Sequence, residues 1–190
     1  MSQAEDDGWD LLAQEMHLEV AAYLAALQEV TSGEAPDAAL PVLLLAVGQL
    51  CGAGARIGAL VDVVPEERFE PDAGPDPDLD GLRERLHTLL GGVDTYCDLE
   101  DPVLSGEVTS GSLSADLVSI AADLQHGKVH YDAGRPTEAM WWWQFSYLSS
   151  WGERGAAALR VLLTLLAHVR LDADDEDVME AEMAALHAVD

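Results

Sequence analysis

Basic residues are scarce in this chain. One lysine, Lys128, and eight arginines stand against 36 Asp and Glu, a formal net charge of -27 over 190 residues. Such a surface repels phosphate backbones and anionic headgroups, so no direct nucleic-acid binding and no docking on anionic lipid are expected. Cysteine is nearly absent: Cys51 and Cys97 make no disulfide framework, and two reduced, packed thiols in a cytoplasmic protein are expected. The first ten residues carry four acids and no base, so no signal-peptide n-region is expected. Long apolar runs are also few. Ala38–Ala55 spans 18 residues without a formal charge, but Pro41, Gly48, Gln49, Gly52 and Gly54 dilute it and Arg56 follows. A buried helix of a soluble bundle accounts for that run, and no membrane association is expected.

Catalytic signatures are missing too. No Gly-x-Ser-x-Gly elbow, phosphate loop, dinucleotide fingerprint or Cys-x-x-Cys pair occurs. Cys97 sits among Asp94, Asp98 and Glu100, a neighbourhood unsuited to a thiolate nucleophile. Glu84-x-x-His87 is a single copy of a motif that di-iron carboxylate bundles use twice. Asp123, His126 and His130 share one helix face at a spacing compatible with one metal, yet a solvated histidine pair is the expectation. No catalytic residue, metal or cofactor is expected.

What is present is helical periodicity. The apolar fraction of 49% is ordinary for a globular protein, and the length fits a single domain over 1–190. Trp9, Leu12, Met16, Val20, Tyr23, Leu24, Leu27 and Val30 fall on one face, predicting an amphipathic helix over 8–31. A second helix starts near Asp37 or Pro41 and runs to Leu60; lacking a polar face, it is expected to be buried on most sides. Residues 64–79 combine five prolines and glycines with six acids and read as an acidic loop. Asp78 or Asp80 opens a short helix that Gly91-Gly92 stops, and 93–111 reads as a loop. Ser112 or Ser114 caps the next helix, with Leu113, Leu117, Ile120, Leu124 and Tyr131 inward and Gly134 at its end. Pro136 opens the longest segment, to Arg170. An acidic start at Asp174–Asp177 opens a last helix over 174–189, weakly apolar and expected to fray. No run alternates with period two for long. The fold class is all-α: a bundle of five to six helices around a long central Trp-rich helix.

On a straight helix with Trp141 as origin, Phe145, Leu148, Leu159, Leu162, Leu163, Leu166 and Val169 form one inward stripe. Trp143, Tyr147, Trp151, Ala158, Val161 and Leu165 widen it past half the circumference, so neighbours are expected on two sides. Gly152 and Gly155 leave a notch where a helix crosses or the rod bends. Trp142 falls among serines and is expected at the surface, either under the 93–111 loop or as a contact patch. Gln144 and Arg154 point into the apolar arc, and Arg154 needs an acid of the 93–111 loop (Asp94, Asp98, Asp101) or an aromatic face beside it.

Asp94 and Tyr96, Asp101-Pro102, Asp123-Leu124, Gly134-Arg135 and the array Trp141/Trp143/Phe145/Trp151-Gly152 resemble an uncharacterised bacterial helical family, domain-of-unknown-function family 5063. The resemblance covers residues 90–165 well and the N-terminal helices in outline. It implies an all-helical intracellular protein and no activity. In that family's pattern basic residues occupy the positions of Gln144, Ser150 and Arg154; here only Arg154 is basic, so a family site there would be altered.

Two functions are expected from different classes. The first is a non-enzymatic protein that contacts a basic partner, steered by charge and held through the Trp142 patch, one version being an acidic mimic of nucleic acid. The second is a small-molecule binder or enzyme with a pocket at the middle of the long helix, built from Trp143, Gln144, Tyr147 and Arg154 with Asp94 or Tyr96. Dimerisation through Trp142 or the C-terminal helix is compatible with either.

Overall fold

The computed structural model describes residues 3–59, 62–65, 77–101 and 103–187, with side chains described for 9–59, 62–65, 77–100 and 103–171. Most of the acidic 64–79 loop lies outside the described residues, as do the side chains of the segment expected to fray.

Three helices follow the sequence pattern closely. In α1 (Gln3–Val30), Ala13, Met16, Val20, Tyr23, Leu27 and Val30 are buried at alternating spacings of three and four. After a 3-10 turn at Pro36–Ala38, α2 (Ala39–Gly58) packs against α1 and the long helix over Gly152–His187. It buries a single stripe from Ala39 through Leu43, Val47, Leu50 and Ala53 to Ile57, while Leu45 is 64% exposed. It is thus not buried on most sides, because its neighbours stand on one side. The stretch Pro36–Gly58 meets the length and hydropathy of a membrane span, and its buried stripe is what packs it into the bundle. A short helix, α3 (Asp80–Leu90), ends at Gly91, whose φ of 51° stops it as expected.

The segment read as a loop is a hairpin. Strands β1 (Thr95–Asp101) and β2 (Ser105–Ser112) pair antiparallel, Thr95 opposite Ser112 and Leu99 opposite Val108, with an irregularity between Leu99 and Asp101. Period-two patterning reports a strand with one buried face. Here β2 is exposed along most of its length, so no alternation was selected. The fold is mostly helical rather than purely so.

Next, α4 (Leu113–Asp132) is capped by Ser112, whose Oγ accepts the Ala115 N–H at 3.3 Å. It buries Leu113, Leu117, Ile120 and Leu124, and the Tyr23 hydroxyl donates to its Leu117 carbonyl at 2.8 Å. Gly134, at a φ of 75°, turns the chain into α5 (Pro136–Ser146).

The predicted long rod exists, but it is not one regular helix. A π-helical turn over Tyr147–Trp151 joins α5 to α6 (Gly152–His187), which continues without a break through the expected second start at Asp174. The turn has a clear purpose in packing. On a straight helix the buried residues of α5 (Glu138, Ala139, Met140, Trp143, Gln144, Ser146) centre about 100° away from the later set of Trp151, Gly155, Ala158 and Leu162. One extra residue in a π turn rotates the rest of the rod by about 100°, which brings the two sets onto one side. The rod therefore faces α1, α2 and α4 with Trp143, Trp151, Ala158 and Leu162, each fully buried. It is not enclosed around most of its girth. Phe145, Leu148, Leu163 and Val169, expected in the inward stripe, are 52%, 65%, 58% and 61% exposed.

Candidate functional site

The residues expected to form a pocket are divided between the rod and the stretch 94–96 that leads into β1. Gln144, 4% exposed, donates from Nε2 to the Ile57 carbonyl at 2.7 Å and accepts the Val63 N–H on Oε1 at 2.8 Å. Its amide thus ties the end of α2 and the stretch 62–65 to α5. Trp143 donates to the Leu124 carbonyl at 3.0 Å. Trp142, half-buried, donates to the Asp123 carbonyl at 2.8 Å and lies 5.1 Å from the His126 ring. Its cover is α4, not the 93–111 segment. The Asp123 carboxylate accepts the Ser150 hydroxyl at 2.8 Å.

Tyr147 fills the notch of the rod. A Cβ at Gly58 would lie 2.7 Å from its ring and one at Gly54 2.6 Å, so the two α2 glycines form its seat. Trp151 meets the same ring edge-on, centroids 4.7 Å apart. Gly155 faces Cys51, whose thiol burial pushes up. Of the two alternatives expected at the notch, the close crossing occurs: α2 approaches there through Gly54, Gly58 and Cys51.

Arg154 pairs with Asp116 of α4 at 3.2 Å and its side chain is 47% exposed, so it does not enter the apolar arc, and among the described residues its ion pair is with neither Asp94 nor Asp98. Asp116 also accepts the Tyr96 hydroxyl at 2.6 Å. Burial and that carboxylate raise the Tyr96 phenol far above its usual range. Asp94, 3% exposed, accepts the Ser114 N–H at 2.7 Å, the Ser112 and Ser114 hydroxyls at 3.0 Å each, and the His87 ring at 2.8 Å. Burial alone would raise its pKa; the four hydrogen bonds together outweigh burial and hold it below the usual carboxylate range. Asp94 is a structural hub joining α3 to the start of α4. Asp98 of the hairpin pairs instead with Arg160 at 2.7 Å.

The histidine expectation fails differently. His130 is fully buried rather than solvated. Among the described residues no group of three His, Cys, Asp or Glu side chains is placed to hold a metal ion.

Two apolar features face outward. On α5, Trp141 stacks on Phe145 with ring centroids 5.5 Å apart and planes 9° from parallel, and Leu148 follows one turn on. Positions 141, 145 and 148 make one ridge, with Phe145 and Leu148 exposed and Trp141 half-buried at its inner edge against the core. Further along, the hairpin stands off α6 and leaves an open groove of about 590 Å³, walled by Leu99 and Val108 on one side and Ala156 and Ala157 on the other. Asp98, Glu153 and Arg160 sit at its polar margin. The sequence pattern contains the ridge but assigns it to the core, since a straight helical wheel has no signal for the extra residue of the π turn.

Among solved structures, the chain is similar to the crystal structure of protein BF1032 from Bacteroides fragilis, at 17% identity and a TM-score of 0.64, over 80% of this chain and 89% of that one. That likeness shows the fold. No curated protein matches. The family described as a domain of unknown function, DUF5063, matches residues 8–168. With that match spanning the helices, the hairpin and the tryptophan array, the chain belongs to the DUF5063 family.

Proposed function

We propose that this protein works by binding another protein, a basic one, through the outer ridge of the rod at Trp141, Phe145 and Leu148. One observation carries the reading: Phe145 and Leu148 are 52% and 65% exposed on the rod, and Trp141, half-buried against the core, stacks on the Phe145 ring from beside it. Aromatic anchors on an exposed ridge are the usual centre of a protein interface, with charged residues at its rim. A net charge of -27 selects a partner carrying lysine and arginine around its own apolar residues, and speeds its approach. Mimicry of nucleic acid toward a DNA-handling protein is a special case of the same charge logic. We place the activity in the cytoplasm, on the two free thiols.

The alternative, a small-molecule pocket at the middle of the rod, has less to favour it. The polar atoms of Trp143, Gln144 and Tyr96 are occupied by Leu124, Ile57 with Val63, and Asp116. Affinity capture at low and high salt tests the proposal, comparing wild type with Leu148→Ser and Phe145→Ser. A partner held by wild type at low salt, released at high salt and lost in both variants supports it. Capture that both variants retain contradicts it.

A further inference from the structure

A second depression lies away from the ridge, among α1, α3 and α4, with a volume of about 610 Å³. Its size is that of a small-ligand site. In a chain with nine basic residues, two of them, Arg85 and Lys128, line this groove together. Arg85 folds back over Gly81, its Nη1 3.5 Å from where a glycine Cβ would stand, and makes no ion pair among the described residues. Lys128 pairs with Asp132 one helical turn on. Such a solvent-screened i,i+4 pair is weak, so it exchanges readily for a ligand contact.

Both signs of charge are therefore present, because Asp78 and Asp132 also line the groove. The Asp78 carboxylate accepts the Asp80 N–H at 3.2 Å and keeps its second oxygen for another donor. Gln28 and Gln125 add carboxamides, and Leu24, Leu82 and Val129 supply apolar wall. A simple anion is repelled by the chain's overall field, and a simple cation meets Arg85 and Lys128 at close range. A ligand bearing one carboxylate and one ammonium close together escapes both penalties.

We infer that this groove binds a zwitterionic α-amino acid with an apolar side chain, its carboxylate on Arg85 and Lys128, its ammonium on Asp78 or Asp132, and its side chain against Leu82 and Val129. The inference is independent of the partner surface on α5. Nuclear magnetic resonance titration of the full chain with L-leucine tests it, with N-acetyl-L-leucine lacking the ammonium and L-leucinamide lacking the carboxylate. L-leucine gives saturable shifts at the Arg85, Lys128, Gln28 and Gln125 side chains, and each analogue binds about tenfold or more weakly, the weight of one charge-assisted hydrogen bond. Arg85→Met weakens L-leucine by a similar factor while the rest of the spectrum stays in place. Absence of saturable shifts with L-leucine, equal binding of either analogue, or an unaltered affinity in Arg85→Met overturns the assignment.

Discussion

Deleting Ser149, in the middle of the π turn, should unfold much of what the rod holds together. The deletion removes the extra residue, so α6 turns back by about 100° relative to α5. Trp151, Ala158 and Leu162, each fully buried, then leave the side on which Trp143 and Met140 face the core. Losing the burial of the two large side chains, Trp151 and Leu162, costs about 1.5–3 kcal/mol apiece, or about 3–6 kcal/mol together. That is a large share of the roughly 5–15 kcal/mol that holds a typical domain. The control is Ser149→Ala. Ser149 is exposed and its hydroxyl bonds only the Phe145 carbonyl of its own helix, at 2.8 Å, so this variant should stay within about 0.5 kcal/mol of wild type. Urea denaturation monitored by tryptophan fluorescence reads both. If the deletion variant unfolds within about 1 kcal/mol of wild type, with its fluorescence maximum unmoved, the two buried sets do not depend on the extra residue and the π turn is incidental.

Gly54→Ala pushes a methyl into the Trp151 ring first and the Tyr147 ring next and should destabilise by about 1–3 kcal/mol in the same assay, with Gly33→Ala unsuitable as a comparison because its φ of 78° adds strain and Gly52→Ala, in open space, the right control. Asp94 has a depressed folded pKa, so its stabilisation is complete above its unfolded value of about 3.9 and is lost as pH falls through the lower folded value. Asp94→Asn should accordingly be less stable than wild type at about pH 6, and the gap should narrow below about pH 4 in parallel denaturation curves. Tyr96→Phe combined with Arg160→Met removes the hydrogen bond to Asp116 and the ion pair to Asp98; faster amide exchange over 95–112, with the global midpoint nearly unchanged, is the expected outcome.

Much of this architecture is legible in the sequence because helices announce themselves by burial period and by caps. The α1 stripe from Met16 to Val30, the Ser112 cap, the Gly91 stop and the Pro136 start each depend on one local rule, and each stands where that rule puts it. Gln144 is legible as a buried polar residue, though not its two partners 81 and 87 positions away. The π turn is not legible. A straight wheel carries no allowance for its extra residue, so the wheel points Arg154 inward and puts Phe145 and Leu148 in the core. The hairpin escapes for a different reason: Leu99 and Val108 are exposed, so burial imposes no alternation on the sequence. The surface of interest is thus visible as residue types and misplaced as geometry. Trp142, singled out for its serine neighbours, is secured to α4, and the exposed aromatic is Phe145 one turn away.

The proposed partner surface on the rod is tested most directly by a photo-cross-linking amino acid placed at Leu148, with a second chain carrying it at Gln14 on the exposed side of α1. The expected result is one dominant protein adduct from position 148, rich in lysine and arginine, whose yield falls steeply as salt rises, and no such adduct from position 14. An equal yield from both positions, or an adduct at 148 that is indifferent to salt, would contradict it.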